Sequence, residues 1–103
     1  MSQTTLADRY PSLNHLFGAY FHQDWTVDGS TTDGAVGRFI RDEGAATAQR
    51  TATELDHLLR ESRSDSELAA ALDTFGCYYT PAAKGVTHRT WLARVGQILS
   101  AAG

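Results

Sequence analysis

Leu13, Leu16, Phe17, Tyr20 and Phe21 recur at i, i+3, i+4, i+7 and i+8. Only an α-helix gathers that spacing onto one face. The same period returns with Ala35, Val36, Phe39 and Ile40, then with Ala45, Ala48, Ala52, Leu55, Leu58 and Leu59. It returns again with Leu68, Leu72 and Phe75, and last with Trp91, Leu92, Val95, Ile98 and Leu99. Nothing alternates with the period of two that a half-buried strand requires. The pattern therefore predicts an all-α chain, a compact single-domain bundle of about five short helices.

Helix ends are written locally. Pro11 suits a first helical position, where its missing N–H has no partner to lose. Thr31 or Thr32 can cap a helix over about residues 33–42, and Gly44 breaks the pattern before a helix over 45–61. The first half of that third helix is lined with alanine and threonine, so a neighbour can approach closely. Ser64-Asp65-Ser66-Glu67 reads as a capping box, Gly76 as a left-handed C-terminal residue, and Thr87 as the cap of the last helix. Residues 1–9 show no periodicity and read as a flexible arm that Leu6 could anchor, which leaves 10–103 as the domain. Gly18 lies inside the first helix, read over 11–23. It marks either a close approach by another element or a weak point.

A chain of 103 residues supports one core and not two. No apolar run reaches the ~20 residues of a membrane span, and the first residues lack the basic and apolar regions of a signal peptide. The cytoplasm is the default expectation. One cysteine, Cys77, allows no internal disulfide and no cysteine-based zinc cluster. The net charge is only −3, but residues 1–73 hold all twelve acids against six arginines, while residues 74–103 hold Lys84, Arg89 and Arg94 and no acid. An acidic majority disfavours nucleic acid as the main partner and suits a basic protein.

Chemistry-bearing residues form no complete site. His22 and Asp24, two residues apart on a helix, point about 200° away from each other, and no metal-ligand spacing is completed elsewhere. His22 reads best as a polar helix-end residue, and no metal or cofactor is expected. Cys77 and His88 are the minimum for a nucleophile and base but sit in no catalytic signature, and Cys77 reads as a small buried residue. His15 and His57 lie on polar faces. Tyr78-Tyr79 is either a recognition pair or a lid on the bundle, with one ring in and one out as a compromise. Trp25 and Trp91 read as core anchors. Asp24, Asp28, Asp33, Asp42 and Glu43 are either a solvated stretch or a docking surface for a basic partner. A small regulatory module that binds nucleic acid through Lys84, Arg89 and Arg94 is the alternative from another class. Three cations are few for that task.

Tyr10-Pro11-Ser12-Leu13, Gly18-Ala19-Tyr20-Phe21-His22-Gln23-Asp24-Trp25, Glu54-Leu55-Asp56-His57-Leu58-Leu59, and Gly76-Cys77-Tyr78-Tyr79 with Pro81, Gly85 and Trp91-Leu92 together resemble the immunity proteins of contact-dependent growth inhibition systems. The resemblance spans about residues 10–99, and Tyr20, Phe21, His22, Gln23 and Trp25 are its most specific part. It implies a small, soluble, mainly α-helical, non-enzymatic protein that binds the C-terminal toxin domain of a large exported effector and blocks it. Nucleases are common among such toxins, and an acidic inhibitor over a basic nuclease cleft suits the charge pattern. Toxin contact is then expected from Asp24, Asp28, Asp33, Asp42 and Glu43, with Tyr78 or Tyr79 as aromatic anchor. Tyr20, Phe21, His22, Gln23, Trp25, Gly76 and Trp91 are expected to be structural.

Overall fold

The computed structural model describes residues 6–21, 31–62, 64–79, 81 and 85–102. Among them the chain forms α1 (Leu6–Arg9), α2 (Pro11–Tyr20), α3 (Thr32–Glu43), α4 (Ala45–Glu61), α5 (Asp65–Phe75) and α6 (His88–Ala101). No strand occurs among the described residues. The expected bundle is thus observed, with one helical turn added in front. Residues 6–9 are helical rather than loose, because Leu6 packs on the core and the Arg9 guanidinium bonds Glu61 Oε2 at 2.6 Å. Of the expected arm, residues 1–5 lie outside the described residues.

The apolar stripes converge as their spacing demands. Leu13, Leu16, Phe17, Val36, Phe39, Leu55, Leu58, Leu68, Leu72, Phe75, Leu92, Val95 and Leu99 are buried in one core. Burying a side chain of that size stabilises the fold by about 1.5–3 kcal/mol before its ordering entropy is counted. The helix α4 runs through the middle and packs most extensively on α6, and also on α2 and α3. Its small residues permit this: Ala48 and Thr51 are fully buried, and the Thr51 hydroxyl donates to Thr47 O at 2.7 Å. A Cβ on Gly96 of α6 would meet Leu55 Cδ2 at 3.5 Å, which is ordinary contact.

An aromatic nest closes one end. Phe17 stacks on Phe75 with centroids 6.0 Å apart, and Trp91 meets Phe17, Phe21 and Tyr79 at 5.8, 5.4 and 4.7 Å. Trp91 is buried, as the sequence suggested. Its indole Nε1 has no hydrogen-bond partner among the described residues, a cost offset by its ring contacts.

Several ends behave as written. Thr31, Ser64 and Thr87 side chains accept the N–H groups of Gly34, Glu67 and Thr90. Gly44, at φ 92°, separates α3 from α4 by a single residue. Gly76, at φ 83°, ends α5 in the left-handed conformation, where a side chain would be strained. Gly18 marks a close approach, since a Cβ there would lie 3.0 Å from Phe75 O and the Gly18 Cα itself faces Gly76.

The first long helix stops earlier than the period suggests. Phe21 leaves helical geometry at φ −122°, ψ 33°, and its carbonyl accepts the Tyr78 N–H at 2.8 Å. A hydrogen bond to the chain after α5 thus takes the place of another helical turn. His22, Gln23, Asp24, Trp25 and Asp28 lie outside the described residues.

Candidate functional site: an acidic and aromatic surface

The acids expected to form one surface are placed at different ends of α3. Asp33 sits in its first turn, where a carboxylate favours the helix dipole, and its Oδ2 accepts from Arg94 of α6 at 3.0 Å. Asp42 and Glu43 sit in the last turn, about 14 Å further along at the helical rise of ~1.5 Å per residue. The helix separates Asp33 from the other two.

Asp42 and Glu43 instead join two residues of α2. Tyr20 Oη donates to Asp42 Oδ2 at 2.9 Å and lies 3.4 Å from Glu43 Oε2. His15 Nε2 lies 3.3 Å from the same Glu43 oxygen. The Tyr20 ring stands perpendicular to Phe39 at 5.4 Å and edge-on to His15 at 5.9 Å. Burial, then the bond to Asp42, pushes the Tyr20 phenol up to about 12, so it stays a neutral donor holding the carboxylate in place. Tyr20 is therefore half core and half surface, and His15 is engaged rather than merely solvated. The period in α2 alone could not show this, because the partners come from α3.

The tyrosine pair divides. Tyr79 turns inward onto Trp91, whereas Tyr78 is 61% exposed. Tyr78 is the one large apolar side chain that is exposed among the described residues. Its neighbours Asp73, Gly76 and Cys77 line a cleft with it.

Residues considered for catalysis are occupied elsewhere. Burial pushes the Cys77 thiol up to about 11, and Sγ lies 3.6 Å from Tyr79 O, which accepts from it. His88 Nδ1 is 2.8 Å from Asp65 Oδ2. No cluster of three or more metal-ligating side chains occurs among the described residues. The basic end is likewise committed: Arg89 donates to Leu59 O and Ser62 O at 3.0 and 2.8 Å, and Arg94 pairs with Asp33. Lys84 lies outside the described residues. Among the described residues no helix is long and apolar enough to cross a membrane.

Sequence reasoning missed three carboxylates that organise the fold. Glu54 Oε1 accepts the N–H groups of Ser12 and Leu13, Glu61 accepts from Arg9 and Tyr10, and Asp65 accepts the N–H groups of His88 and Arg89. Only for α2 was there a hint, since Tyr10 before Pro11 offers no capping side chain.

Residues 9–99 match the family described as CdiI immunity protein. Among solved structures, the chain is similar to one in the crystal structure of the CdiA-CT/CdiI complex from Y. kristensenii 33638, at a TM-score of 0.80 and 27% identity. The similarity covers 88% of this chain and 98% of that one. No curated protein shows significant similarity to the sequence.

Proposed function

This chain belongs to the CdiI immunity protein family, and we propose that it neutralises a cognate CdiA-type toxin domain by tight stoichiometric binding, without chemistry of its own. The observation that carries this reading is the family match over residues 9–99, supported by the likeness to a chain from a CdiA-CT/CdiI complex. The mechanism is occlusion: the inhibitor covers the toxin's active site and leaves it folded but inaccessible. A nuclease toxin fits best, because its cleft must be basic to hold phosphates and this chain is acidic. The site of action is the cytoplasm, where a delivered toxin meets its target.

The contact surface we assign is the corner of Asp42 and Glu43 with Tyr20 beside it, together with exposed Tyr78. Asp33 contributes through the Arg94 pair rather than as a free charge, and Tyr79 contributes by anchoring the chain next to Tyr78 on Trp91. Asp24 and Asp28, the other two acids expected to contact the toxin, lie outside the described residues. Asp42 and Glu43 lie in the last turn of α3, against the helix dipole, so a cationic partner relieves that repulsion.

Co-expression of this chain with its cognate CdiA-type toxin domain should restore growth. Affinity should fall and its salt dependence should flatten when Asp42 and Glu43 are changed to lysine. Unchanged affinity and salt dependence would remove this corner from the interface.

A further inference from the structure

We propose that the cleft at the end of α5, lined by Asp73, Gly76, Cys77 and Tyr78, receives one arginine or lysine side chain of the toxin domain. This rests on the immunity reading above and adds the chemistry of one contact to it.

Three independent features converge on a cation. Asp73 is exposed and its carboxylate has no hydrogen bond or ion pair among the described residues, unlike Asp33, Asp42, Glu43, Glu54, Glu61 and Asp65. It lies in the last turn of α5, where the helix dipole is negative and no basic side chain compensates. That placement works against the free protein, and a bound cation reverses the sign of the interaction.

Tyr78 is the second feature. Its ring is 61% exposed, while its backbone is fixed by the 2.8 Å hydrogen bond from its N–H to Phe21 O. The backbone thus holds the residue at the cleft while its ring stays free of the core. An aromatic face beside a carboxylate is the arrangement that holds a guanidinium or ammonium group.

The third feature is space of the right sign. Gly76, at φ 83°, contributes no side chain, and the cleft has a volume of about 410 Å³. Among the described residues no lysine or arginine lines it. Burial keeps the Cys77 thiol neutral, so it adds no competing charge. One long cationic side chain can lay its apolar stem across Cys77 and place its head between Asp73 and Tyr78.

The test is a double-mutant cycle by calorimetry against the cognate CdiA-type toxin domain, with thermal melts of each free variant. Asp73→Asn and Tyr78→Ala should each weaken binding roughly tenfold, and the double variant by clearly less than the product, because both groups act on one cation. Tyr78→Phe should retain affinity, and free Asp73→Asn should melt no lower than the wild type. Singles that bind within about twofold of the wild type, or effects that multiply, would overturn the shared-cation contact while leaving the immunity reading intact. A wild-type chain that does not bind the toxin would overturn both.

Discussion

Glu54 Oε1 accepts the backbone N–H of Ser12 at 3.0 Å across 42 residues of sequence. The same oxygen takes the N–H of Leu13 at 3.1 Å, so α4 supplies the N-terminal cap that α2 lacks. A carboxylate at that position also complements the helix dipole. One side chain thereby both satisfies a helix end and fixes the distance between two packed helices.

Replacing this cap should be costly in proportion to the acceptor lost. Glu54→Ala is expected to destabilise the fold by about 1–2 kcal/mol, and Glu54→Gln, which keeps an acceptor oxygen, by about half as much. Urea denaturation of the two variants measures the difference. Equal stability of Glu54→Ala and wild type would show that the cap contributes nothing.

The junction between α5 and α6 predicts an acid-dependent loss of stability. Asp65 is held below its ordinary value chiefly by the Arg89 backbone N–H, with the hydrogen bonds from His88 adding to it. Glu61 is lowered in the same direction, by Tyr10 first and Arg9 second. A depressed carboxylate stabilises the fold above its unfolded pKa, about 4, and that contribution is lost as pH falls through the lower folded value. Melting temperatures of wild type and Asp65→Asn should therefore differ most near neutrality and converge as the pH falls through the lowered folded value. A gap that stays constant with pH would contradict this.

Two glycines inside helices should respond oppositely to alanine. At Gly18 the new Cβ would sit 3.0 Å from the Phe75 carbonyl oxygen, a backbone atom that cannot rotate away. Gly18→Ala is expected to lose about 1–2 kcal/mol despite its better helix propensity. At Gly37 nothing lies within 4 Å, so Gly37→Ala should gain about 0.5–1 kcal/mol. Opposite shifts in melting temperature are the expected result, and shifts of the same sign would refute the packing explanation.

Adjacent tyrosines should separate stability from recognition. Tyr79→Ala removes a ring 4.7 Å from Trp91 and is expected to cost about 1–3 kcal/mol. Tyr78→Ala changes an exposed residue and should leave stability within about 0.5 kcal/mol of wild type. Chemical denaturation of both variants checks the pair, and a destabilised Tyr78→Ala would show that this ring belongs to the fold.

The sequence by itself determined the helices and the family. Apolar spacing located α2 to α6, and Thr31, Ser64, Gly44, Gly76 and Thr87 set their ends, because caps and left-handed glycines are satisfied within a few residues of chain. Motifs such as Gly18 to Trp25 identified the kind of protein, since they are linear strings. What only the tertiary structure decided was how the charges are used. The acids clustered along the chain divide between the two ends of α3, because a helix spaces out residues that are close in sequence. Arg94 returns to Asp33 across 61 residues, and the backbone N–H of Arg89 to Asp65 across 24. Glu54 and Glu61, unremarkable in their own helix, become the cap of α2 and the partner of Arg9 and Tyr10. A helical period fixes which face a side chain occupies. Which backbone amide or cation faces it from another helix depends on packing, and a single helix does not encode that.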